Sequence, residues 1–346
     1  MIALPDSMRR AAFSRWSLLP AALGRVRQRG RARRLSREAA ALVMTCAAMF
    51  ALLLWARIPL AADDVPSRPI RFGTTAVILE DQVAILRSWK GYLEERLGRP
   101  VRFVHRGSYQ EITELLSKDQ LDFAWVCGYP YVRNRSFMRL LAIPVYQGRP
   151  LYQSYLIVPK SDTTTRSFRD LKGRIFAYSD PNSNSGFLVP QYELVRLGEN
   201  PTVFFQKSFF TWAHSKVVNA VAAGLANGGA VDGYVWETLQ QTHPDLTAQT
   251  RVVRKSALYG FPPLVARAGM GERDFRAMQD VLLGMSQDAR GRQLLARLNL
   301  DGFAPDDPHV FDGIAEILAY VQARQPGLVG SGVAVNSGRA PRLEAN

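Results

Sequence analysis

The sequence predicts an α/β protein of two lobes joined by two crossing strands, and three observations carry that expectation. Strand and helix signals alternate with short links from Ile70 to Val158. A second alternating run begins after Pro159-Lys160-Ser161. The chain then returns with an extended stretch, Ala257 to Val265, and two long helical patterns. Alternation of this kind implies parallel strands with crossover helices. The roughly 260 residues from Pro66 to Gln325 are enough for two lobes of ordinary size.

The elements of the first run follow in order. Ile70 to Gly73 reads as a short strand. Gln82 to Leu97 reads as a helix, with apolar residues at 83, 85, 86, 89, 93 and 97 and a stop at Gly98. Val101 to Val104 is a strand after Pro100, Tyr109 to Lys118 a helix, and Leu121 to Val126 a strand. Leu140 to Val145 and Tyr152 to Val158 complete the set as strands. The expected lobe 1 is 66–157 plus 258–325, and the expected lobe 2 is 158–257.

In the second run, Arg174 to Tyr178 is a strand and Leu188 to Leu197 a helix. Val203 to Phe205 is read as a strand, His214 to Leu225 as a helix and Ala230 to Val235 as a strand. Arg273 to Leu298 and Asp306 to Gln322 read as single helices. Two lobes linked by crossing strands are built to close about a hinge on a ligand. Ligands of open α/β sheets sit beyond the carboxyl ends of strands, where loops feed helix N-termini.

One such loop stands out. Asp180-Pro181-Asn182-Ser183-Asn184-Ser185-Gly186 is made of turn formers and short polar residues, and an apolar run with Pro190 follows it. A helix N-terminus carries unpaired N–H groups and the positive end of a dipole, so it attracts oxyanions. Ser183 and Ser185 add hydroxyl donors. The plainer reading is an N-cap, with a serine oxygen satisfying a backbone N–H.

The ends of the chain read as processing and tail. Residues 1–38 hold ten arginines, no lysine and two acidic residues, Asp6 and Glu38. An apolar run from Ala39 to Trp55 follows, and Leu60-Ala61-Ala62 offers a cleavage site. Together these are the parts of a secretory signal over 1–62; an uncleaved membrane anchor is the alternative. Residues 326–346 read as a disordered tail, rich in Gly, Ser, Ala and Arg. Removing 1–61 takes away 11 basic and 2 acidic residues, which leaves 33 minus 28, or +5. The strong basicity is therefore mostly the leader's and gives no reason to invoke nucleic acid. Cys127 is the one cysteine of the mature part, so the chain has no internal disulfide there and no cysteine metal cluster. It reads as a small buried hydrophobe. No phosphate loop of the G-x-x-x-x-G-K-[ST] type and no dinucleotide fingerprint is present, and no cofactor is expected.

Six blocks, in this order and spacing, resemble a known family: 92–101; Ser108-Tyr109-Gln110-Glu111; 121–131 with its Gly-Tyr-Pro-Tyr end; Asp170-Leu171-Lys172-Gly173; 180–190; and His214 followed by 220–224. The chain is similar to the periplasmic substrate-binding proteins of phosphate, phosphite and phosphonate ABC transporters, the PhnD-like family, over roughly Pro69 to Gln322. The resemblance implies a type II periplasmic-binding-protein (venus flytrap) fold of two mixed sheets flanked by helices. It also implies a periplasmic location, an ABC permease in the inner membrane as partner, a small anionic ligand and a monomer. Carried over residue by residue, it implies an oxyanion cradle of Ser183, Asn184, Ser185 and Gly186. His214 would donate to an oxygen, Tyr109 and one of Tyr129 or Tyr131, with Tyr131 preferred, would approach from the first lobe, and Asp232 would face the cleft. Departures from the family pattern are Asn184, where a hydroxyl residue is common; Trp212-Ala213, where Gly-Ser is common; and Asn227, where an acid is usual.

Two rival readings differ in class. A membrane-retained sensory module would keep the same lobes and report to a partner. An enzyme could use Ser185, His214 and Asp232 as nucleophile, base and acid, but the chain has no G-x-S-x-G elbow.

Overall fold

The computed structural model describes residues 68–75 and 83–329, together with Met44 and Met49. The remainder of the expected leader and positions 330–346 of the expected tail lie outside the described residues. Among the described residues, no helix is long and apolar enough to cross a membrane.

The first lobe opens with β1 (Ile70–Thr75), β2 (Val101–Arg106), β3 (Phe123–Trp125) and β4 (Met138–Val145). The chain crosses at β5 (Leu151–Tyr152) into β6 (Ser154–Pro159), β7 (Ile175–Tyr178), β8 (Lys207–Phe210), β9 (Gly228–Asp232) and β10 (Thr250–Lys255). It returns through β11 (Tyr259–Gly260) to β12 (Leu264–Arg267) and β13 (Gly302–Ala304). The first sheet has the order β13-β4-β12-β3-β1-β2 and the second β10-β6-β9-β7-β8. Within them β1 runs parallel to β2 and β3, and β7 parallel to β8 and β9, while the returning strands are antiparallel. The two crossings, β5 and β11, pair with each other, Tyr152 opposite Tyr259. Two mixed sheets joined by two short hinge strands are the architecture the sequence predicts.

Each lobe is organised around buried aromatic rings. In the first, Trp89 packs against Phe72, Phe103 and Trp125 at 5.4, 5.7 and 6.0 Å. In the second, Phe176 stacks on Phe205 at 4.4 Å and meets Tyr178 at 4.9 Å. Burial of such large rings dominates the energetics of a core. Asp122 has a structural task. It takes both the guanidinium and the backbone N–H of Arg71, at 2.8 and 2.9 Å. Burial opposes its charge, but the bonds to Arg71 prevail and hold the carboxyl below its usual range.

Four elements depart from the expectation, each through capping chemistry. Val203–Phe205 is not a strand: Pro201–Phe204 is a helical turn, begun by Asn200, whose side chain accepts from the Thr202 N–H at 3.1 Å. The strand is β8, shifted onward in the sequence. The stretch Ala230–Val235 stops as a strand at Asp232, which caps helix Gly233–Thr242 by accepting from the Tyr234 N–H at 2.9 Å. The long helix from Arg273 breaks at Gly284–Gln287, and Asp288 caps a new one, Ala289–Arg297. The pattern from Asp306 holds a 3-10 turn, Pro308–Phe311, before helix Asp312–Arg324. A short helix missed in the sequence, Gly128–Arg133, follows β3. Beyond Arg324 the chain makes a turn whose Val329 is buried, and the Tyr129 hydroxyl donates to its carbonyl at 3.2 Å.

The lobes meet along a bonded seam near the hinge. Tyr146 just beyond β4 and Tyr155 of β6 both donate to Glu237 at 2.5 Å. The Tyr234 hydroxyl donates to the Leu298 carbonyl at 2.5 Å, and Asn299 donates to Thr238 at 2.9 Å. On another face, helix Asp312–Arg324 lies on helix Val189–Arg196, with Tyr320 edge-on to Tyr192 at 5.2 Å.

Candidate ligand-binding site

The loop picked out in the sequence leaves the carboxyl end of β7, the second-sheet strand flanked by the parallel strands β8 and β9. Its first bend is an Asx turn: the Asn182 N–H donates to Asp180 Oδ1 at 2.6 Å and the Ser183 N–H to the Asp180 carbonyl at 2.9 Å. Ser183 then caps the next turn by accepting from the Gly186 N–H at 3.0 Å. That turn, Asn184–Leu188, is wide, with the Leu188 N–H reaching back five residues to the Ser183 carbonyl at 3.0 Å. Such π turns are rare and gather at functional sites. The helix proper, Val189–Arg196, follows with Pro190 in its first turn.

Gly186 is needed for closeness. A Cβ there would stand 1.9 Å from Ser179 Oγ and 3.2 Å from His214 Cε1. His214 begins helix His214–Ala222. Its Nδ1 accepts the Asp232 N–H at 3.1 Å, so Nε2 carries the proton and points at Ser183 Oγ, 3.5 Å away. Complete burial pushes the imidazole down to about 3, and the ring is neutral at physiological pH. Asp232 is 1% exposed. Burial pushes its carboxyl up to about 8, so at neutral pH it holds a proton that it can donate.

The first lobe and the hinge close over the same loop. The Tyr109 N–H, at the start of helix Tyr109–Ser117, donates to Asp180 Oδ2 at 3.1 Å. The Asn184 N–H donates to Cys127 Sγ at 3.2 Å, and the Asn184 amide donates to the Tyr152 hydroxyl at 3.1 Å. Ser154 of β6 donates to the Ser185 carbonyl at 2.7 Å. Tyr109, Ser179, Asn184, Ser185 and Asp180 are all fully buried. The Tyr109 hydroxyl is within electrostatic reach of Cys127, Asp232, Asp180 and Tyr152, and burial raises it well above the usual phenol range.

Four buried polar atoms of this cluster have no hydrogen-bond partner: Tyr109 Oη, Ser179 Oγ, Asn184 Oδ1 and Ser185 Oγ. Buried polar groups are otherwise almost always paired, and leaving one unpaired costs about 1–3 kcal/mol. Three hydroxyls gathered in this way are suited to a ligand that accepts hydrogen bonds from several sides. The bonds that hold the loop, His214, Asp232 and Tyr109 in place run to backbone groups, hydroxyls, a thiol and the Asp180 carboxylate, not to a guanidinium or ammonium. Among the described residues in these bonds the side-chain donors are neutral, Asp232 holds a proton, and Asp180 brings a carboxylate beside them.

Of the sequence-predicted residues, Tyr109, Ser183, Asn184, Ser185, Gly186, His214 and Asp232 come together. Tyr131 is placed differently: its ring packs edge-on against Phe311 at 4.9 Å and beneath the Arg135 guanidinium. The enzyme-like set does not form, because His214 faces Ser183 rather than Ser185 and takes a backbone N–H of Asp232 rather than its carboxylate. Asn227 is structural, its side chain accepting from the Ile175 N–H at 3.0 Å. Trp212 has a φ of +65°, costly for so bulky a residue, and packs on Phe210 at 5.9 Å. Sequence reasoning missed Asp180, Cys127, Tyr152 and Ser179 as parts of the cluster. Cys127 and Ser179 do follow strands β3 and β7, the carboxyl ends at which ligand loops are expected. Tyr152 lies on a two-residue hinge strand and leaves no comparable signal.

A two-lobed α/β molecule whose lobes are joined by two paired hinge strands is, as a class, built to close about a ligand. The model of the ABC transporter phosphonate periplasmic substrate-binding proteins matches residues 72–311, and the chain belongs to that family. The phosphonates-binding periplasmic protein of Escherichia coli K12 is 26% identical over 255 residues, 71% of this chain and 73% of that protein. The crystal structure of a binding protein component of an ABC phosphonate transporter from Pseudomonas aeruginosa aligns with a TM-score of 0.68 at 25% identity, covering 73% of this chain and 87% of that one. The fold also matches PhnD1 from Prochlorococcus marinus in complex with methylphosphonate, with a TM-score of 0.65 at 20% identity over 73% of this chain and 98% of that one.

Proposed function

We propose that this chain is an exported solute-binding protein that captures a phosphorus oxyanion and delivers it to an ABC permease in the inner membrane. The ligand class is phosphonate, phosphite or phosphate. The observation that carries the reading is the group of unpartnered hydroxyls of Ser185, Ser179 and Tyr109, buried around a helix-start loop between two hinged lobes. In this reading the hydroxyls, the His214 Nε2–H and the Asp232 proton replace the hydration shell of the anion as the lobes close. The protein acts as a monomer without a cofactor, its lobes are divided near the paired hinge strands, and its leader is removed after Ala62. N-terminal sequencing of the exported protein checks the last point.

Calorimetry against methylphosphonate, phosphite, phosphate and sulfate, with Ser185→Ala and His214→Ala alongside, tests the site. Each variant is expected to weaken binding of the preferred oxyanion by at least about tenfold, the size of one lost buried hydrogen bond to a charged group. Equal affinity in the wild type and both variants overturns the assignment.

A further inference from the structure

Asp180 reads in the sequence as turn chemistry alone, and the structure gives it a second task. Its two carboxylate oxygens are divided. Oδ1 accepts from the Asn182 N–H, within its own loop in the second lobe. Oδ2 accepts from the Tyr109 N–H, which opens a nine-residue helix of the first lobe, 71 positions away in the chain. The side chain before that helix is already engaged: Ser108 caps it by accepting from the Glu111 N–H at 3.3 Å. The carboxylate thus lies at the positive end of one lobe's helix while held by the other lobe's turn, and it is fully buried there. Burial, and to a lesser degree Glu111 in the first turn of the same helix, push the Asp180 carboxyl up to about 6, while the N–H groups of Asn182 and Tyr109 favour its charge.

We propose that Asp180 is a closure latch: it holds the lobes shut by capping helix Tyr109–Ser117 across the cleft, next to the ligand loop but without touching the ligand. The bond exists only when the lobes are together, because its donor and acceptor belong to different lobes. It therefore adds to the closed state alone, and any ligand enclosed by closure is held longer for it. Asp180 is a positioning residue in this scheme. This deepens the ligand-capture reading and rests on it for the dissociation arm of its test, while the labelling arm is independent of it.

Asp180→Asn separates the two tasks. The amide oxygen keeps the turn to Asn182, while the amide nitrogen meets the Tyr109 N–H donor to donor. Cys127 provides a reporter of opening, since it is 1% exposed and is covered from the second lobe by Asn184. With Cys46 replaced by alanine, labelling of Cys127 by a neutral maleimide in the absence of ligand is expected to be roughly tenfold faster in Asp180→Asn, in line with loss of one charge-assisted bond. Methylphosphonate is expected to dissociate faster by a similar factor, with the thermal midpoint unchanged. Asp180→Ser, whose shorter hydroxyl supports the turn but cannot span the cleft, repeats the test should the asparagine variant not fold. Unchanged labelling and dissociation overturn the latch, and so does labelling that rises only in step with a falling midpoint. If none of methylphosphonate, phosphite and phosphate binds the wild type while labelling still rises in Asp180→Asn, the ligand reading falls and the latch stands. If methylphosphonate binds the wild type and labelling is unchanged in Asp180→Asn, the latch falls and the ligand reading stands.

Discussion

At the scale of single residues, burial takes charge away from two residues of the proposed site. His214 is neutral because it is buried, and Asp232 keeps its proton for the same reason. For Asp232 the native state holds the proton more tightly than the unfolded chain does. Its contribution to stability is whole below about pH 4 and is lost as pH rises through about 8. Asp232→Asn, which mimics the protonated acid, is therefore expected to gain in melting temperature over the wild type as pH rises from about 4 to about 8. Calorimetric scans across that range check this, and a difference that does not grow with pH contradicts it. His214 has the reverse sign: its folded value lies below its ordinary one, so its contribution is present above about pH 6.5 and disappears as pH falls toward 3.

At the scale of elements, the ligand loop depends on the close approach of β7, the π turn and the start of helix His214–Ala222. Gly186→Ala would drive a methyl group into Ser179 Oγ and against His214. The expected result is a destabilisation of about 1–3 kcal/mol with loss of oxyanion binding, measured by urea unfolding and calorimetry. Much of this element is legible in the sequence. Seven turn-forming residues before an apolar run mark a loop entering a helix, and a strand placed before it locates the loop at a sheet's carboxyl edge. Elements whose starts depend on one cap are harder to read. Asn200-Pro201 signals a helical turn, yet the β-branched and aromatic residues after it have the composition of a strand. Asp232 is read in the sequence as the end of a strand, not as the cap that turns Gly233–Val235 into helix. The cross-cleft partners are the least legible. Asp180 and Tyr109 satisfy local patterns on their own, and nothing in either pattern shows that 71 positions of chain bring them together.

At the scale of the whole molecule, closure is a sum of small contacts on both sides of the cleft. The hinge-side seam contributes through Tyr234, which donates from the second lobe to the Leu298 carbonyl of the first. Tyr234→Phe removes that bond and is expected to cost the closed form about 1 kcal/mol, seen as roughly fivefold weaker oxyanion binding. Small-angle scattering with and without methylphosphonate is the companion measurement: a ligand-induced fall in radius of gyration in the wild type should need more ligand in the variant. The neutral donors of the proposed site have a consequence for how the protein meets its surroundings. Fixed cations hold anions through a field that dissolved salt weakens, whereas aligned hydroxyls and peptide dipoles in a dry enclosure act at contact range, inside any ion atmosphere. Capture through such bonds is therefore expected to lose less affinity with rising salt than capture by a lysine or arginine clamp. Water can take over the same neutral bonds one by one as the lobes part, so release requires no counter-charge from the recipient.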